Sequence, residues 1–94
     1  MPQEITIKAP GWVAADDLLA LLRQDLQLKL AYYDSQCRNF QQKHKQTLVE
    51  FEAAMRASKQ ENFDAWEDFM DWETAESARH ETAQRLQELA VWKT

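Results

Sequence analysis

Two histidines, one cysteine and sixteen carboxylates are the side chains of this 94-residue chain that could carry chemistry. A carboxylate-bridged di-metal site needs Glu-x-x-His pairs, three residues apart, with further glutamates on facing helices. Here Glu76 and His80 are four apart, and His44 has no carboxylate within four residues. Nucleophilic catalysis needs a base beside Ser or Cys and a set of oxyanion donors, commonly from glycine-rich backbone. The single glycine is Gly11, so phosphate-cradling loops are missing as well. His44 lies between Lys43 and Lys45 at an expected helix end, where an imidazole serves the last carbonyls. His80, between Arg79 and Glu81, is expected on an exposed turn of helix. Cys37 has no second cysteine to pair with and reads as a small apolar residue in a reducing compartment. The expectation is a non-enzyme with no catalytic residue, metal or cofactor.

Binding chemistry is a different matter. Residues 61–76 hold seven carboxylates and four aromatic rings with no basic residue among them. Residues 1–58 carry seven basic and seven acidic groups, so the whole net charge of −5 falls in the last third. An acidic chain is poorly suited to holding nucleic acid by phosphate neutralisation and better suited to a basic protein surface. Direct DNA binding by residues 4–8, in the manner of a ribbon-helix-helix protein, is not expected, because only Lys8 there suits phosphates or bases and Glu4 opposes them.

The elements that position these residues are helical. Both prolines and the glycine lie within the first eleven residues, and the rest is rich in good helix formers. The expected fold is all-α: long amphipathic helices in a helical hairpin or small bundle, preceded by a short β-strand. One domain covers 1–94, with an N-terminal arm at 1–11, a Leu-rich helical region at 12–58 and an acidic aromatic C-terminal helix at 59–94. The strand is Glu4-Ile5-Thr6-Ile7-Lys8, whose alternation and β-branching fit one. A single strand needs a mate, so Ile5 and Ile7 are candidate self-association residues.

Asp16 or Asp17 is expected to cap a long helix whose stripe runs Leu19, Leu22, Leu26, Leu30, Tyr33, Cys37, Phe40 and His44. Leu18, Leu21, Leu28 and Tyr32 lie beside or across from that stripe. A helix apolar over more than one face has more than one neighbour, and Leu18, Leu21 and Leu28 join the expected homo-oligomer contact. Thr47-Leu48-Val49-Glu50 matches a capping box, which breaks the helix near Gln46 and restarts it from Leu48 to about Ala57; the competing reading is one unbroken helix, since Leu48, Phe51 and Met55 continue the stripe in phase. After a polar connection at 58–62, Asn62 caps a last helix from about Phe63 to Val91.

On that last helix Phe63, Trp66 and Met70 share one face, Phe69 and Trp72 point away from it, and Ala75, Ala78, Leu86 and Leu89 take a third direction. A straight helix cannot bury all three on one surface, so it bends near Thr74 or has separate partners along its halves. The expectation is that Phe63, Trp66 and Met70 are core, while Phe69 and Trp72, with Asp68, Asp71 and Glu73 around them, face another molecule. Rings fringed by acids match the anatomy of a protein interaction hot spot.

The order of a short strand through Glu4-Ile5-Thr6-Ile7-Lys8-Ala9-Pro10, a Leu-rich helix through Tyr32-Tyr33, a Phe51-containing helix and Trp66-Glu67-Asp68-Phe69-Met70-Asp71-Trp72-Glu73 resembles the small antitoxins of prokaryotic type II toxin–antitoxin modules. The resemblance covers most of the chain. It implies a protein that wraps and neutralises a basic, ribonuclease-type toxin. Trp66, Phe69 and Trp72 would be its anchors, and Glu67, Asp68, Asp71 and Glu73 would be charge partners. The long first helix departs from the commonest antitoxin DNA-binding motifs, so operator binding is not implied. The alternative is a self-assembling helical protein with no toxin partner. No window approaches the roughly 20 apolar residues of a membrane span, and the N-terminus lacks a secretion pattern, so a cytoplasmic, membrane-free protein is expected.

Overall fold

The computed structural model describes residues 8–58 and 62–91. The expected strand lies almost wholly outside them, as do Ile5 and Ile7. Three helices follow in order: α1 Ala15–His44, α2 Leu48–Ala57 and α3 Phe63–Val91. The all-α reading holds, and the expected ends of α2 and α3 are where the helices begin and stop. Among the described residues, no helix is long and apolar enough to cross a membrane.

Local chemistry sets these boundaries. Ala14, in extended conformation, is the cap residue of α1, two or three residues earlier than the aspartates expected to fill that role. Asp17 contributes from inside the helix instead, its carboxylate accepting the Ala14 N–H at 3.2 Å. The helix closes at Lys45, whose φ of 54° and ψ of 36° are left-handed, a conformation that ends helices and favours glycine. Thr47 then caps α2 reciprocally. Its Oγ1 accepts the Glu50 N–H at 3.2 Å, and Glu50 Oε1 accepts the Thr47 N–H at 2.9 Å. That backbone donor, with the Thr47 hydroxyl, holds the Glu50 carboxyl below the ordinary glutamate range. Asn62 caps α3, its Oδ1 accepting the Ala65 N–H at 3.1 Å.

α1 and α3 lie antiparallel. Contacts run backwards along α3 as they advance along α1, with Phe40 on Trp72 and then Lys43 and His44 on Asp68. α2 packs across the first half of α3. Apart from Phe69, which α2 covers, the buried side of α3 runs in one direction rather than three. Ala65, Asp68, Trp72, Ala75, Arg79, Thr82, Leu86 and Leu89 are all buried or half-buried, at alternating spacings of three and four. That is a seven-residue repeat, and an α-helix drifts about 20° per heptad against it. A gentle left-handed supercoil keeps such a seam facing its partner. α3 is continuous through Thr74, whose hydroxyl donates back to the Met70 carbonyl at 2.8 Å, and its halves have different neighbours, α2 joining α1 only along the first.

Candidate functional site

The acidic aromatic turns at the start of α3 divide into a buried and an exposed face, opposite to the assignment expected from the sequence. Trp72 is 2% and Phe69 6% exposed, whereas Phe63 is 76%, Trp66 53% and Met70 62% exposed. Phe69 and Trp72 therefore belong to the chain's own core, and Phe63, Trp66 and Met70 do not. The reason is α2. Its Phe51, buried alongside Phe69, Trp72, Cys37 and Ala75, covers the side of α3 that α1 leaves open. Phe51 lies 5.7 Å from Trp72, and Phe40 of α1 stacks on Trp72 at 5.9 Å. Two non-parallel neighbours bury two rings that no single flat surface could reach.

His44, the last residue of the expected α1 stripe, joins this cluster. Its imidazole stacks on Phe51 at 4.1 Å and faces Trp72 at 6.0 Å. Its Nε2 is 2.8 Å from Asp68 Oδ2, with Lys43 Nζ 2.7 Å from the same oxygen. Asp68 is thus occupied within the chain, whereas Glu67, Asp71 and Glu73 are exposed. The hydrogen bond from Lys43, reinforced by His44, holds the Asp68 carboxyl below its ordinary 3.8. A carboxylate with a depressed pKa contributes stability that is present above the unfolded value and lost as pH falls through the folded one. The Asp68 side of this contact between α1 and α3 therefore weakens as pH falls through the lowered folded value.

Cys37 is buried opposite Glu76 and Arg79, and burial foremost, then the Glu76 carboxylate, pushes its thiol up to about 11. A thiol so protonated is a weak nucleophile. Glu76 is held below the ordinary glutamate range first by its hydrogen bond from Arg79. His80 is exposed. Among the described residues, no three His, Cys, Asp or Glu side chains converge in a way that could hold a metal ion.

The exposed face borders a groove of about 720 Å³ between α2 and α3. Phe51, Met55, Phe63, Ala65, Trp66 and Phe69 supply its apolar wall. Trp66 leans on Phe69 at 5.5 Å, so one edge of its ring continues the core while the other is wet. Acids rim the face: Asp64, Glu67 and Glu73 are exposed. The nearest described cation, Arg56, is engaged by Glu52 at 2.8 Å. The site thus offers apolar area, a ring with a free face and a one-sided negative field.

Of the expected self-association residues on α1, Leu18 is 37%, Leu21 63% and Leu28 66% exposed. They lie away from the groove, on the long outer side of the hairpin. Comparison with protein-family models, with curated proteins and with solved structures finds no match to this chain.

Proposed function

We propose that this chain is a non-enzymatic protein-interaction module, antitoxin-like in its action, which neutralises a basic partner of the ribonuclease-toxin kind. The seat is the α2–α3 groove with the exposed rings of Phe63 and Trp66. One observation carries the reading. After α1 and α2 have taken Phe69 and Trp72 into the core, three further large apolar side chains, Phe63, Trp66 and Met70, stand in water on turns that carry only acids. Exposed apolar patches of this kind mark interfaces, and a half-exposed Trp is a common anchor.

The occupant that suits such a surface is a basic amphipathic segment. Its apolar side enters the groove, and its lysines or arginines meet Asp64, Glu67 and Glu73 or lie over the Trp66 ring. Asp71 and Glu73 extend the negative field, and Glu67 stands beside Trp66. Phe69 contributes to the groove wall, while Trp72 and Asp68 support the surface from behind rather than touching the partner.

The test is co-expression with the product of the neighbouring open reading frame, where that product is small, basic and toxic. The parent chain is expected to restore growth and to form a complex that weakens as salt rises. Phe63→Ala with Trp66→Ala should abolish rescue while leaving helicity intact. Full rescue by that double variant, or a neighbouring product that is acidic and harmless, would overturn the reading.

A further inference from the structure

A second apolar face lies on α1, independent of the groove. Leu18, Leu21, Leu28 and Tyr32 form a stripe roughly 130° around the helix from the face that meets α3, taking 3.6 residues per turn. Leu21, Leu28 and Tyr32 are each more than half exposed, so the hairpin itself does not cover them. With Asp25 the spacing is three, four, three and four: Leu18, Leu21, Asp25, Leu28, Tyr32. This is the a/d seam of a coiled coil, with a charge at one seam position.

That charge selects the occupant. Asp25 is paired within its own helix to Lys29 at 2.8 Å, and both side chains are more than half exposed. The stripe therefore carries one acid in its seam and, four residues on, one base along its edge, and is complementary to itself when reversed. We propose that α1 pairs with α1 of a second copy, antiparallel, about a two-fold axis crossing near Gln27. In that register Asp25 of each copy stands level with Lys29 of the other, Leu21 comes within one residue of Tyr32, and the two Leu28 side chains flank the axis. A parallel pair would instead set Asp25 against Asp25 inside the seam, where like charges repel. An acidic or basic foreign helix would satisfy only one of the two charges. Gln36, whose Nε2 donates to the Tyr32 hydroxyl at 2.8 Å, holds that ring's polar end at the edge of the stripe. Isologous contacts of this type close on themselves and stop at a dimer. The α2–α3 groove remains open in each copy, so the dimer presents two of them.

The experiment uses the full chain. Sedimentation equilibrium of the parent protein is expected to give a dimer in the micromolar range, and Leu21→Glu with Leu28→Glu should weaken dimerisation at least a hundredfold. Because both positions are exposed, the helical circular dichroism of that variant should match the parent. Orientation is read separately by spin labels at Asp16→Cys in a Cys37→Ala background. Position 16 is eleven residues from the axis, so antiparallel labels are separated by about 33 Å of helix rise alone. A parent protein that stays monomeric at 100 µM overturns the proposal. So does a dimer indifferent to the two glutamates, or labels closer than about 20 Å.

Discussion

Trp72 and Trp66 are two turns of one story about burial. Trp72 is 2% exposed and surrounded by Phe40, His44 and Phe51. Trp66 is 53% exposed and leans on a single ring, that of Phe69. Truncating a buried aromatic removes its transfer free energy and leaves a cavity, together costing about 3–5 kcal/mol. Truncating a half-wet one at the surface costs less than about 1 kcal/mol. Urea denaturation should therefore show Trp72→Ala severely destabilised and Trp66→Ala close to the parent. The reverse order would mean that the two faces of α3 have been assigned the wrong way round. Asp68 belongs with Trp72 in this respect, because its carboxylate is used by Lys43 and His44 rather than displayed.

At the scale of the element, the starts of α2 and α3 and the buried face of α1 were legible, and the faces of α3 were not. Thr47 with Glu50, and Asn62 ahead of Phe63, are short-range signals: each is a side chain bonded to a backbone N–H three residues along or back, whatever the rest of the molecule does. Which ring goes inside depends instead on the neighbours. On a wheel at 3.6 residues per turn Trp72, Ala75, Leu86 and Leu89 already fall within about 100°, the width of one buried stripe, and a 3.5-residue seam gathers them further. Phe69 is buried only because α2 folds over α3, and nothing within residues 61–76 announces that. The pairing of His44 with Asp68 escaped for the same reason: the two lie 24 residues apart in the chain. The turn between α1 and α2 also holds strain. Lys45 adopts a left-handed φ of 54°, which costs a residue with a side chain about 1–2 kcal/mol. Lys45→Gly removes that cost and returns part of it as extra freedom in the unfolded chain. A net stabilisation of about 0.5–1 kcal/mol is expected, visible as a higher urea midpoint with an unchanged slope. A lower midpoint would show that the Lys45 side chain contributes more at the end of α1 than its backbone costs.

The whole molecule is long and thin. Its Cα radius of gyration is 18.7 Å and its extents are 62 × 25 × 20 Å, against a radius of about 12 Å for a compact domain of this length. Such a shape buries little. The core is Leu26, Cys37, Phe51, Phe69, Trp72 and Ala75 with Thr82, and all of these but Leu26 and Thr82 lie in or beside the ring cluster near the turn into α2. A thin hairpin leaves long outer faces available, which is why one chain can offer a groove at one end and a stripe on its flank without the two competing.

The lopsided placement of the rings also sets an order in time. Closing the chain between His44 and Asp68 spans 24 residues, whereas bringing Lys29 beside Arg85 spans 56. The shorter closure is favoured by about 0.7 kcal/mol of loop entropy and is rewarded at once by stacked rings. Folding should thus begin at the turn end and zip outward along α1 and α3. Pulse-labelled hydrogen exchange should find the amides of Cys37 to His44 and Phe69 to Ala75 protected before those of Leu19 to Leu26 and Thr82 to Leu89. Protection arising everywhere at once would mean that the hairpin closes as a single unit, with the ring cluster no earlier than its far end.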